Sequence, residues 1–164
     1  MFIELENMFN GGITEIPLDF EFDFSQEEID GVFPFTTPAR LKGKISSVAE
    51  IVSIKAEITF SLDVFCSRCA EGIKRDMTVP VEHILVSELQ NDETDEFIIV
   101  ENMKLDIEQL TLEDIYFALP SKFLCKEDCK GLCSKCGANL NEGPCSCKKD
   151  IDPRFEALLS LLDE

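Results

Sequence analysis

Residues 50–69 read EIVSIKAEITFSLDVFCSRC, a long alternation that runs straight into a pair of cysteines. Ile54, Ala56, Ile58, Phe60, Leu62 and Val64 share one parity, which predicts a long strand buried on one face. The stretch is rich in Val, Ile, Thr and Phe, the residues that pack well on a pleated, half-buried surface. Cys66 and Cys69 fall where this strand turns into the next. A hairpin end is thus predicted to carry two thiols.

The flanking segments extend the same pattern. In IPLDFEFDFS (16–25), Leu18, Phe20, Phe22 and Phe24 alternate with Asp19, Glu21 and Asp23, giving one apolar and one acidic face. ARLKGKISSV (39–48), MTVPVEHILV (77–86) and EFIIVENMKLDI (96–107) predict further strands, with SELQNDETDE (87–96) as an acidic loop. Two helices are signalled. Asp106 followed by Gln109 fits a capping box; Ile107, Leu110, Ile115 and Ala118 supply an apolar face, and Pro120 ends it. Asp152 before Pro153 starts a terminal helix with Phe155, Leu158, Leu159 and Leu162 as its stripe. The predicted fold is α+β: a mainly antiparallel β body with one helix over 1–120, then a cysteine-rich metal-binding segment and terminal helix over 121–164, packed on the body.

Composition narrows the chemistry. The 164 residues are 45% apolar and include thirteen Phe, enough for a real core without disulfides. The opening MFIELENMF lacks the charged and apolar regions of a signal peptide, and no run reaches the roughly 18 apolar residues of a membrane span. The expectation is a cytoplasmic protein, where clustered cysteines bind metal or do redox work more often than they form disulfides. A net charge of −18 opposes non-specific nucleic-acid binding. The charge is uneven: residues 1–39 hold nine acids and no Lys or Arg, whereas 121–149 hold six lysines against three acids.

Residues 125–147, CKEDCKGLCSKCGANLNEGPCSC, contain six of the eight cysteines. The eight form local pairs: Cys66/Cys69, Cys125/Cys129, Cys133/Cys136 and Cys145/Cys147. Two four-thiolate sites use them all, and zinc suits soft thiolates at such intervals. Cys133 and Cys136 with Cys145 and Cys147 make one set, with Gly137 permitting the turn after the second ligand; the one-residue gap of CSC is unusual for two ligands of one ion. Cys66 and Cys69 lack local partners, and Cys125 and Cys129 complete a second set that pins the tail to the body. A single iron or an iron–sulfur cluster also accepts four cysteines, so an electron-transfer protein is the competing reading. A thioredoxin-like CxxC wants a βαβ pattern that this chain lacks. No catalytic constellation and no phosphate-binding loop are present. His83, the only histidine, reads as a hydrogen-bonded structural imidazole in a strand.

The CSRC after a long strand, the run CKEDCKGLCSKCGANLN, the later CSC and DPRFEALLSLL together resemble the YceD-like family of large ribosomal RNA subunit accumulation proteins. The likeness is specific from Cys129 to Asn141 and at Asp152-Pro153-Arg154, and only general over the first sixty residues. It implies a non-catalytic bacterial or plastid factor in ribosome biogenesis, with the eight cysteines as metal candidates and Gly131, Gly137 and Asn139 as structural motif residues. No small-molecule substrate and no membrane partner are implied. Combined with the charge distribution, it predicts that acidic strands bind a basic ribosomal protein or assembly factor. Ribosomal RNA contact is then left to Lys126, Lys130, Lys135, Lys148 and Lys149.

Overall fold

The computed structural model describes residues 1–29, 31–87 and 97–147. Strand β1 (Phe2–Glu4) and the one-turn helix α1 (Glu6–Phe9) precede β2 (Glu15–Phe22), β3 (Ala39–Val48), β4 (Ile51–Phe65) and β5 (Gly72–Val86). Strands β6 (Phe97–Ile99) and β7 (Lys104–Asp106) and helix α2 (Ile107–Ala118) follow. One sheet has the order β2-β3-β4-β5-β6; β1 and β7 form a separate two-stranded ribbon. The sheet is antiparallel from β2 to β5, with β6 added parallel to β5 at one edge.

The alternation in β4 becomes burial on one side. Val52, Ile54, Ile58, Phe60, Leu62 and Val64 are buried, and Ala56 is half-buried. Ala56 sits opposite Gly43 of β3, where a Cβ would collide with the Ala56 backbone, so glycine marks the closest approach of these strands. Phe22, Phe24, Phe35 and Phe60 form a run of ring contacts with centroids 5.9–6.0 Å apart across the inner face. Each such side chain taken from water stabilises the fold by about 1.5–3 kcal/mol. Helices α1 and α2 and the β1–β7 ribbon close over this face through Leu5, Met8, Leu105, Ile107, Leu110 and Ile115.

The outer face differs from expectation. The acids of β2 do not stand alone: Asp19 pairs with Arg40 at 2.9 Å and Glu15 with Lys44 at 2.7 Å, both across to β3. Lys55–Glu82 and Lys74–Asp63 continue the pattern across β4 and β5. Cross-strand pairing thus leaves a face of mixed sign. An excess of acid lies instead in the layer around the helices, where Glu101, Asp106, Glu108, Glu113 and Asp114 accompany Lys104 alone from 97 to 118, Asp106 and Glu108 sharing the Met1 ammonium and Asp114 facing His83.

Helix α2 starts as predicted, with Asp106 accepting the Gln109 N–H at 3.3 Å. Only half of a capping box forms, because the Gln109 side chain turns to Glu113. Ala118 is exposed, not part of the apolar face; Thr111 is buried and donates its hydroxyl to the Ile107 carbonyl at 2.6 Å. The segment 96–107 is not one strand. Asn102 and Met103 take positive φ and break it into β6 and β7, which join different sheets. The terminal helix expected from Asp152, and the loop beyond Ser87, lie outside the described residues. No helix among the described residues is long and apolar enough to cross a membrane.

Candidate metal centres

Strand β4 ends at Phe65 and β5 begins opposite it at Gly72, so Cys66 and Cys69 lie in the connecting turn. That turn closes through Cys66 N–H to the Glu71 carbonyl and Ala70 N–H to the Cys66 carbonyl, at 2.8 and 2.9 Å. After α2 the chain passes Phe123, whose carbonyl accepts the Ser67 N–H at 2.7 Å, and delivers Cys125 and Cys129 to the same place. The four Sγ atoms lie within 4.8 Å of one another, with Cys66–Cys129 at 3.7 Å and Cys69–Cys125 at 3.6 Å. Zinc–sulfur bonds of about 2.3 Å in a tetrahedron require sulfurs about 3.8 Å apart, so these separations fit one ion. Cys66, Cys69 and Cys129 are buried.

Cys133, Cys136, Cys145 and Cys147 make the second set, also within 4.8 Å, with Cys133–Cys145 at 3.4 Å. The knuckle is built by Gly137, whose φ of 72° lets its N–H reach the Cys133 carbonyl at 2.9 Å. A left-handed residue is needed there, and glycine takes it without strain. Both sulfurs of the CSC pair join this set despite the single residue between them. Cys136 is exposed and the other three are half-buried.

Fixed backbone dipoles prepare both sets for a cation. Burial would raise the Cys66 thiol, but N–H groups of Cys125, Arg68 and Cys69 outweigh it and bring it to about 6. The N–H groups of Cys136 and Lys135, with the Cys145 thiol, bring Cys133 to about 6 as well. Cys129 is lowered chiefly by the Asn141 side chain, which donates to its sulfur at 3.3 Å. The opposite holds elsewhere in each set. Burial and then the neighbouring thiols of Cys129, Cys69 and Cys66 push Cys125 to about 12. Hydrogen bonding to Cys136, then burial, does the same for Cys147. Four sulfurs this close cannot all ionise without a counter-charge, and a divalent cation supplies it. Each set can hold a metal ion.

Three residues that the cysteine pattern did not single out tie this region together. Arg68 donates to the carbonyls of Cys129 and Glu127 at 2.9 and 3.3 Å, and its own carbonyl accepts the Leu132 N–H. Gly131 lies beneath it with φ 75°, and a Cβ there would come 2.9 Å from the Arg68 oxygen. Asn141, from the loop of the second set, takes the Lys130 N–H as well as reaching Cys129, so one side chain links the two sets. Arg75 of β5 donates to the Leu124 carbonyl at 2.7 Å. Hydrogen bonds to backbone carbonyls leave no trace in residue spacing, which is why Arg68 and Arg75 were not visible in the sequence.

Lys126, Lys130 and Lys135 are exposed on this end; Lys148 and Lys149 lie outside the described residues. His83 is a structural imidazole as expected, with Nε2 2.9 Å from Asp114 Oδ1 between β5 and α2.

Residues 54–162 match the family described as large ribosomal RNA subunit accumulation protein YceD. An uncharacterized protein of Mycobacterium tuberculosis is 28% identical over 123 residues, covering 73% of this chain and 59% of that protein. One of Mycobacterium leprae is 26% identical over 135 residues, covering 80% of this chain and 62% of that protein. The chain therefore spans about three fifths of the length of the curated relatives it matches. No solved structure matches the chain.

Proposed function

The chain belongs to the YceD family of large ribosomal RNA subunit accumulation proteins, and from that membership we propose that it is a non-catalytic cytoplasmic factor of ribosome biogenesis that carries one structural zinc ion in each cysteine set. Residues 1–120 act as the body and 121–164 as the zinc-bearing contact segment. Four sulfurs around one ion leave no open position for a substrate, which supports structure over hydrolysis. Clusters of several irons need sulfurs spread more widely than one ion does, so the tightness of each set favours a single metal.

One observation carries the RNA contact. Arg40, Lys44, Lys55, Lys74 and Lys104 of the body are each in an ion pair, and Lys42 is the body lysine that is not. Lys122, Lys126 and Lys130 have no ion-pair partner among the described residues. The charge of these three lysines is thus unpaired among the described residues and held on a fixed frame, which suits phosphate. The acidic layer around α2, not the strand face, is then the surface for a basic ribosomal protein or assembly factor.

Crosslinking in cells, followed by identification of bound RNA and protein, tests this. Lys130→Glu with Lys135→Glu should abolish ribosomal RNA crosslinks while the protein stays folded and keeps its protein partner. Crosslinks that persist in the double variant would show that the knuckle bearing Lys130 and Lys135 does not carry the RNA contact.

A further inference from the structure

On the inner face of β5, Arg75 and Met77 stand opposite Leu62 and Phe60, whose side chains are in the core. Helix α2 does not reach this end of the strand. The cover is the connecting segment, and between the two runs an open groove of about 520 Å³ lined by Arg75, Met77, Pro120, Lys122, Phe123 and Lys126. Its walls are basic and its floor is apolar. Among the described residues, Glu127 is the one acidic residue at its rim.

Resting on the RNA reading above, we propose that this groove binds a segment of single-stranded RNA, seating one base on Phe123 and Met77 with flanking phosphates on Arg75, Lys122 and Lys126. The volume falls within the roughly 300–1,000 Å³ of clefts that hold small ligands, enough for a nucleotide. Arg75 uses Nη2 on the Leu124 carbonyl, and that bond fixes its fork while the remaining N–H groups stay available to a phosphate. Lys122 and Lys126 are exposed. An apolar floor with an aromatic ring between cationic walls matches a nucleotide better than an acidic peptide, whose carboxylates bring no flat apolar group. The groove also leads directly to Cys125, so the first cysteine set fixes the wall that carries Lys126, and the charge continues to Lys130.

The test uses the metal-loaded full chain and a fluorescent oligouridylate of about ten nucleotides, a length within the site sizes of single-strand binders. Lys122→Ala with Lys126→Ala should weaken binding about tenfold. It should also reduce the slope of log affinity against log salt by about 1.4, from two lost phosphate contacts at about 0.7 each. An abasic oligomer of equal length should bind more weakly with the slope unchanged. Melting of the double variant should match the wild type. If abasic RNA or an oligoglutamate binds as well as the oligouridylate, the groove is not a nucleotide site and the inference fails. Unchanged affinity in the double variant also overturns it. In that event, loss of binding in Lys130→Glu with Lys135→Glu keeps the broader RNA reading, and retention of binding there removes both.

Discussion

In the sheet, β2 to β5 each turn one side into a core that includes Leu18, Leu41, Ile45, Ile54, Ile58 and Leu62 at 2% exposure or less. Between residues 121 and 147, only Cys129 and Gly131 are buried. The body is held by apolar surface withdrawn from water. The cysteine end has almost none to withdraw and relies on N–H groups aimed at sulfur, on the Arg68 and Asn141 hydrogen bonds and, under the proposed function, on metal. Charge differs too: Arg40, Lys44, Lys55 and Lys74 of the sheet are paired with neighbouring acids, whereas Lys122, Lys126 and Lys130 have no ion-pair partner among the described residues. Two kinds of cohesion therefore divide one chain, and each should fail independently of the other.

The largest effect expected is from removing metal. Apparent zinc-binding energies in finger peptides are about 10–16 kcal/mol, and in such units binding is folding. The purified protein should be colourless with two zinc ions per chain, and Cys69→Ser should reduce that to one. Chelation should expose residues 121–147 to protease and leave the β circular dichroism signal. A red or brown protein would move the cysteines to iron. Protease resistance unchanged by chelation would erase the distinction between the two regions.

The body was the more legible region because period-two alternation reports burial directly. β2 to β5 and the parity of β4 follow from their side chains. What escaped is short and tertiary in origin. The four residues of α1 carry no period, and Met8 is buried only because the chain folds back over the sheet. β1 and β7 pair across about a hundred residues, which no local pattern encodes. Ala118 falls on the apolar stripe of α2, yet it is exposed while Ile115, one turn earlier, is fully buried, so periodicity misplaces it. In the cysteine end, chelating intervals pointed to two sets of four, and the structure gathers the sulfurs in those sets. The side chains that brace them were not legible, since Arg68 and Asn141 act through backbone and sulfur contacts whose geometry exists only once folded.

Next in size is a core truncation in the body. Ile58 is fully buried in the middle of β4. Ile58→Ala removes methylenes from a packed interior and should cost about 2–5 kcal/mol. Chemical denaturation followed by circular dichroism should show that loss, while zinc per native chain stays at two. If metal is lost in parallel with the sheet, the cysteine end depends on the body for more than a platform.

The smallest effect concerns a polar contact inside the body, where the comparison predicts that polar contacts add little. Asp114 is 13% exposed and faces His83 of β5. Burial lifts its carboxyl above the ordinary range, and the charge and hydrogen bond of His83 offset this only in part. An acid raised on folding disfavours its own ionised form. Its cost is absent at low pH, where the group is protonated in both states, and appears as pH rises from the unfolded value through the folded one. Asp114→Asn keeps an oxygen to accept from His83 Nε2–H and removes the charge. The variant should match the wild type at pH below about 4 and be equal or more stable, by no more than about 1 kcal/mol, at neutral pH. Denaturant midpoints measured across that range check it. A variant that is clearly less stable at neutral pH would mean that the carboxylate–imidazole pair helps hold α2 to the sheet, and that the body, like the cysteine end, draws on polar contacts after all.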